Sequence, residues 1–220
     1  MAAPIVSLRE FLPLVLPYVT GCAEIVATYN LRLSAIEFCE RTLCWRHVTT
    51  QDLAANGEAV VCPDYATIHK FERVRFGEVD LTPIAFTDVP HSHEIAQGFP
   101  EHVTQVNDNT ITVLPFQPGT LNLSLFLKPR FGSNFTHDDV KDQPMQDYYD
   151  QVPAFLLHQH GETIALGALG RLLNQPAASY FNPAKANSYA KQFRERATEK
   201  FSEGLRGQQR AKLRTRTVWF

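Results

Sequence analysis

The apolar residues of this 220-residue chain change period twice. Toward both ends they recur every three or four positions, as on one face of a helix. Between about 48 and 130 they alternate, as on one face of a strand. Two helical blocks set that far apart in sequence must meet in space to bury their stripes, and the strands between them must close into sheets. The order therefore predicts an α+β protein. A chain of this length buries roughly 70–75% of its unfolded surface, so a core can form without disulfide or metal staples.

In the first block, Ser7-Leu8-Arg9-Glu10 reads as a capping box that opens a helix. Leu8, Phe11, Leu12, Val15 and Leu16 supply its apolar face, and Pro13 makes it short or kinked. A longer helix is expected over about 23–46, where Ile25, Tyr29, Leu33, Ile36, Cys39 and Leu43 share a stripe. The strand block begins near 48. Asn56-Gly57 reads as a hairpin turn into Ala59-Val60-Val61-Cys62, and further strands are expected over 70–76, 103–106, 110–114 and 120–128. Leu121, Leu123, Leu125 and Leu127 share one face of the last strand. These strands suit an antiparallel meander or small sandwich.

Residues 131–147 form a long polar connection. After it, about 153–174 is apolar nearly all round, the pattern of a helix buried on most sides. Its glycines Gly161, Gly167 and Gly170 imply close approach by another helix. Asn182-Pro183 supplies an N-cap and a first-turn proline for a final helix. Tyr189, Phe193, Ala197, Phe201 and Leu205 are its stripe, and Gly204 or Gly207 its candidate stop. The expected architecture is a helical bundle from the N- and C-terminal helices (1–47 and 148–207). An inserted antiparallel β domain (48–147) carries the long polar loop, and 208–220 is an extended arm.

Charge divides the chain as sharply as period does. From residue 184 onward there are ten Lys or Arg against three Glu, a net of +7, whereas residues 1–183 carry a net of −9. Such segregation favours docking on something acidic: another copy, another protein or nucleic acid. Arg206, Arg210, Lys212, Arg214 and Arg216 have no acid after Glu203. Val218, Trp219 and Phe220 then form an apolar tip that a solvated tail has no need for. Docking by strand addition, or by an aromatic anchor in a pocket, uses both features. A nucleic-acid-binding module using the same arm is the alternative reading.

The remaining constellations argue little for catalysis. Cys39-x4-Cys44 lacks the second Cys or His pair of a zinc finger, and two positions five apart on a helix point away from each other. The four cysteines read as reduced thiols. His158 and His160 cannot chelate one ion from a regular helix; His91 and His93 fall in a loop with nothing to fix their geometry. The acids around 138–150 lack the spacing and central glycine of an EF-hand, although a catalytic pair there would make an acidic-loop enzyme a third reading. No nucleophile elbow, Walker-type loop or dinucleotide fingerprint occurs. No enzyme activity, cofactor or metal is expected. Pro13, Pro17, Arg9 and Glu10 interrupt the apolar start, so neither a signal peptide nor a membrane span is expected and the chain reads as soluble.

Several segments together carry a resemblance. Leu14-Val15-Leu16-Pro17-Tyr18-Val19-Thr20-Gly21-Cys22 precedes Ala35-Ile36-Glu37-Phe38-Cys39-Glu40-Arg41-Thr42 and Trp45-Arg46. Gly167-Ala168-Leu169-Gly170-Arg171-Leu172-Leu173, Gln175-Pro176 and Tyr180-Phe181-Asn182-Pro183 follow, ahead of a helix with an arginine-rich end. This order resembles the head-to-tail adaptor (connector) proteins of short-tailed bacteriophages. The resemblance covers both helical blocks well and the strand block loosely, and the connection 131–147 has no counterpart in it. It implies a ring of twelve copies beneath the portal protein of a virion, continuing the DNA channel without sequence-specific contact to the genome. Subunit contacts would fall to the helical blocks, with Phe38, Trp45, Tyr189, Phe193 and Phe201 as candidates. Residues 48–130 would face a tail nozzle or fibre protein. Arg206, Arg210, Lys212, Arg214, Arg216, Val218, Trp219 and Phe220 would dock the portal.

Overall fold

The computed structural model describes residues 4–54, 57–88, 98–130 and 150–208, without the side chains of 205–208. A strand opens the described chain, β1 (Ile5–Ser7), and two 3-10 turns follow, Leu8–Leu14 and Leu16–Tyr18. The capping box forms: Ser7 N–H donates to Glu10 Oε1 at 3.4 Å, and Arg9 N–H donates to Ser7 Oγ at 3.2 Å. An α-helical ladder does not continue from it. Pro13 and Pro17 lack amide donors, and the tighter i→i+3 turns tolerate that loss. Leu8, Phe11 and Val15 are nevertheless fully buried, because a spacing of three and four also lines one side of a 3-10 turn.

α1 (Glu24–Thr42) stops four residues short of the expected boundary. Leu43 takes a left-handed conformation at φ 51°, and its N–H bonds Cys39 O at 2.9 Å. This is an αL cap built without glycine. It turns the chain directly into β2 (Arg46–Leu53). There follow β3 (Ala59–Val60), β4 (Ala66–Phe76), β5 (Val79–Asp80), β6 (Thr82–Pro83), β7 (His102–Asn107), β8 (Thr110–Leu114) and β9 (Gly119–Pro129). They form two four-stranded sheets, in the orders β2-β9-β4-β5 and β3-β8-β7-β6. The Asn107-Asp108-Asn109 turn joins β7 to β8 as a hairpin. The expected Asn56-Gly57 turn lies partly outside the described residues, at Asn56; the strands on either side of it do not pair with each other, β2 pairing with β9 and β3 with β8. β6 and β7 pair parallel.

Beyond the connection, β10 (Gln151–Pro153) pairs antiparallel with β1. α2 (Ala154–Leu172) and α3 (Pro183–Gln208) complete the fold. Asn182 caps α3, its Oδ1 accepting from Lys185 N–H at 3.1 Å. Neither Gly204 nor Gly207 stops α3, which runs on to Gln208.

The expected helical bundle with an inserted β domain is corrected by this arrangement. The protein is a mixed α+β fold in which strands account for nearly as much of the described chain as α-helices do. Strands β1 and β10 flank the helices, and α1 packs on β9 as well as on the other helices. Leu31, Phe38, Ile164 and Leu172 of the helices belong to the same buried cluster as Leu121, Leu123, Leu125 and Leu127 of β9. The reason is the leucine face of β9. Fully burying each such side chain stabilises by about 1.5–3 kcal/mol, and a helix laid on the sheet removes that face from water. An extended arm over 208–220 lies outside the described residues, apart from the last helical residue, Gln208.

α2 is the centre of the helical layer, and Gly167 makes its packing possible. A Cβ at Gly167 would run into Ser34 Oγ of α1 and stand 2.9 Å from the Phe193 ring of α3. The glycine therefore lets two neighbouring helices press on one point of α2, as its apolar surroundings imply.

Candidate functional site

α1 has two apolar faces, and the stripe legible in the sequence is the outward one. Its inward face is Ala27, Leu31, Ser34, Ala35 and Phe38, all buried at 1% exposure or less. At 100° per residue the stripe Ile25, Tyr29, Leu33 and Ile36 falls on the opposite side. Ile25 is 79% exposed and Tyr29 48%, while Leu33 and Ile36 are half-buried. An isoleucine that exposed gains nothing from the monomer's core. The inward face escaped the sequence reading because it is small and partly polar; the signal for it was the run of Ala and Ser at helical spacing.

Other apolar groups gather at the same end of the helical layer. Gly21, before α1, faces Ser179 of the α2–α3 turn, where the Tyr180 hydroxyl donates to Gln175 Oε1 at 3.1 Å. Tyr18 and Phe181, one from each segment, are 60% and 43% exposed. Tyr18 meets Tyr189 of α3 edge to face, with centroids 6.4 Å apart. The two rings wall a groove of about 330 Å³ floored by Leu14, Ala165, Leu166 and Leu169. Arg196 and Glu162, paired at 3.5 Å, stand at its rim.

A second apolar cluster lies at the end of β9 away from its Lys128–Glu40 bridge to α1. Phe99 packs edge to face on Phe76 with centroids 5.5 Å apart, and Val79 sits opposite Phe76 in the ladder. Phe99 and Val79 remain about half exposed. Between the two ends, the outer face of the first sheet carries paired charges around exposed Val48. Arg46 pairs with Glu72, which also accepts from Ser124, and Arg73 makes a two-pronged bridge to Asp80 at 2.7 and 2.8 Å. A shallow depression of about 730 Å³ overlies these groups. Mutually paired charges of this kind leave little to recruit a charged ligand.

No family model matches the chain, and no curated protein matches it in sequence.

The candidate interface residues separate by burial. Phe38, Trp45 and Phe193 are spent inside the monomer, at 1%, 7% and 3% exposure. Trp45 stacks on Tyr65 at 5.9 Å, and Phe38 tilts against Phe193 at 6.5 Å. Tyr189 walls the groove beside Tyr18, and Phe201 lines a cleft between α3 and the end of α1. The arm residues Arg210, Lys212, Arg214, Arg216, Val218, Trp219 and Phe220 lie outside the described residues, as does the side chain of Arg206.

His91 and His93 also lie outside the described residues. His158 is exposed, whereas His160 is buried between Phe38 and Phe155 at 4.9 and 6.2 Å, on different sides of α2. Burial, reinforced by Lys200, lowers the His160 pKa to about 4, so its ring is neutral near pH 7. Among the described residues no group of three or more His, Cys, Asp or Glu side chains is placed to hold a metal ion. Among them, too, no helix is long and apolar enough to cross a membrane.

Proposed function

We propose that this protein is a structural adaptor of a phage virion. Many copies form a ring beneath the portal, join it to the tail nozzle or fibre, and continue the DNA channel. The observation that carries this reading is the outward stripe on α1. A helix that buries one face in its own monomer and keeps a second face for contact is what a repeating subunit needs. The Tyr18–Tyr189 groove is a further exposed apolar feature of the helical layer that a second copy can use. The Phe99–Val79 cluster supplies a separate surface on the sheet for a different partner. The basic arm supplies a third, directed at the portal and set by its net positive charge. No catalytic chemistry is assigned to any of them.

The test is assembly of the purified full chain, alone and mixed with the portal ring of the phage that encodes it, followed by mass photometry and negative-stain imaging. Rings of about a dozen copies seated on the portal support the reading. An Ile25→Asp variant that remains folded but fails to form them ties the ring to the α1 stripe. Persistence of a monomer at high concentration and in the presence of portal would refute the adaptor reading.

A further inference from the structure

We infer that two copies of this chain join edge to edge through β2, the two strands running antiparallel across a two-fold axis to make one continuous sheet. β2 (Arg46–Leu53) is the outermost strand of its sheet and pairs with β9 on one side only. A single bond fixes which of its backbone groups face outward. Leu127 N–H donates to Trp45 O at 2.8 Å, and these two residues stand opposite each other in the ladder. In an antiparallel pair, bonded and non-bonded positions alternate. His47, Thr49, Gln51 and Leu53 therefore turn their backbone groups toward β9, and Arg46, Val48, Thr50 and Asp52 turn theirs to the open side. Among the described residues no backbone group bonds them there.

The other edges of the two four-stranded sheets are short: β3, β5 and β6 have two residues each, against eight in β2. Proteins blunt a long edge with lysines, prolines or bulges. β2 carries none of these. Its sequence lacks Lys and Pro, its register on β9 runs without a shift, and Val48 at its middle is 72% exposed. A regular open edge of this length is a template for strand addition.

Charge selects a second copy as the occupant. With the two-fold axis at Thr49, self-pairing sets Arg46 against Asp52 of the second copy, Val48 against Thr50, Thr50 against Val48 and Asp52 against Arg46. Every outward backbone group then finds a partner. The fullest ladder is thus also the register that places an opposite-charge pair at each end, on the exposed face that all of these side chains share. A slip of two residues in either direction separates both ion pairs and leaves one outward residue of each copy without a backbone partner. Both ions retain capacity for the contact. Arg46 holds Glu72 through one guanidinium nitrogen, and Asp52 accepts from Thr120 Oγ1 through Oδ1 at 2.7 Å. Two-fold pairing of this kind closes on itself as a dimer. The inference stands independently of the adaptor reading, which uses the α1 stripe.

The test combines sedimentation velocity of the full chain with amide hydrogen exchange followed by NMR at high and low protein concentration. The expected result is a dimer that dissociates on dilution. Its Val48, Thr50 and Asp52 amides should be protected only at high concentration, while His47, Thr49 and Gln51 stay protected at both. Thr50→Pro removes an outward N–H that the monomer does not use and should weaken the dimer about tenfold or more. Asp52→Lys and Arg46→Glu should each weaken self-association by setting like charges opposite each other, and mixing the two variants should restore a dimer with both ion pairs re-formed. Val48, Thr50 and Asp52 amides that exchange freely at every concentration overturn the inference. Protection that is independent of concentration overturns it too, because it assigns the edge to another segment of the same chain. So does a dimer lost in Ile25→Asp but untouched by Thr50→Pro and Asp52→Lys, which leaves the adaptor reading intact. The wild-type exchange pattern decides even if a variant fails to fold.

Discussion

Gly167→Ala adds one methyl group at the most crowded point of the helical layer. The new Cβ would strike Ser34 Oγ and stand 2.9 Å from Phe193 Cδ2. Neither neighbour can step aside freely. Ser34 is fully buried and donates to Ile164 O at 2.6 Å, and Phe193 is 3% exposed against Phe38. Overpacking a tight core costs about 1–3 kcal/mol. Displacing the Ser34 hydroxyl from its bond adds about 1 kcal/mol. The higher helix propensity of Ala offsets about 1 kcal/mol. The expected net loss is about 1–3 kcal/mol, which at an m-value of about 3 kcal/mol/M lowers the urea midpoint by roughly 0.3–1 M. The control is Gly204→Ala on α3, where a Cβ meets nothing within 4 Å. That change should leave stability equal or raise it by up to about 1 kcal/mol. In the double variant Ser34→Ala/Gly167→Ala one clash is gone, so its loss should fall short of the summed singles by at least about 0.5 kcal/mol. A Gly167→Ala protein as stable as wild type would refute the close approach of α1 and α3 to α2.

Gly119→Ala should destabilise by about 1–3 kcal/mol in the same assay, because its Cβ would press on the Phe76 ring, within 2.8 Å of Cε2; Phe76→Leu should relieve part of that loss. Ile25→Asp should change monomer stability by no more than about 0.5 kcal/mol, as an exposed site does, while shifting mass photometry toward the monomer. His160 binds its proton near pH 4 when folded against 6.5 when unfolded. Its contribution is therefore complete above pH 6.5 and is lost as pH falls toward 4. Lys200 and Glu203 face it, and half-buried His47 and His69, also lowered, act in the same direction. His160→Gln should flatten the slope of unfolding free energy against pH in that window; parallel wild-type and variant slopes would contradict the assignment. Iodoacetamide at pH 7.5 should label Cys44 before Cys62, read by peptide mass, since their thiols are shifted in opposite directions.

What could be read from the sequence follows from how local its cause was. The capping box, the Asn182 cap and the alternating leucines of β9 depend on neighbours a few residues away, and each forms. β2 and β3, expected as the arms of one hairpin, pair elsewhere because strand partners are chosen across the chain. β2 finds a longer ladder on β9, in register from Arg46↔Phe126 to Leu53↔Gly119, than two-residue β3 could offer. The N-terminal block failed as a helix because spacings of three and four do not distinguish an α-helix from 3-10 turns once prolines remove donors. The α1 stripe misled about burial in a different way. Periodicity shows that a face is apolar, not that the monomer buries it, and exposed Ile25 shows the difference. The early end of α1 escaped notice because one left-handed residue, Leu43, decides it, and leucine gives no warning of it.

The charge segregation acquires a physical reading from the same distinction between local and distant partners. On α3, Lys191 lies 3.8 Å from Glu195 and Lys200 3.4 Å from Glu203, so these cations have acids one helical turn away. Arg196 reaches Glu162 of α2. After Glu203 the sequence supplies five further cations and no acid, so those beyond Arg206 have no acid within a helical turn of them. Their counter-charge must come from elsewhere in this protein, from another copy or from a different molecule. Exposed pairs within the helix contribute under about 1 kcal/mol each, whereas five cations meeting one acidic surface act together. Attachment through residues 206–220 should therefore weaken steeply between low and physiological salt, while the apolar contacts of the α1 stripe persist. Ring formation that survives salt, combined with portal attachment that does not, is the signature of two distinct interfaces on one subunit.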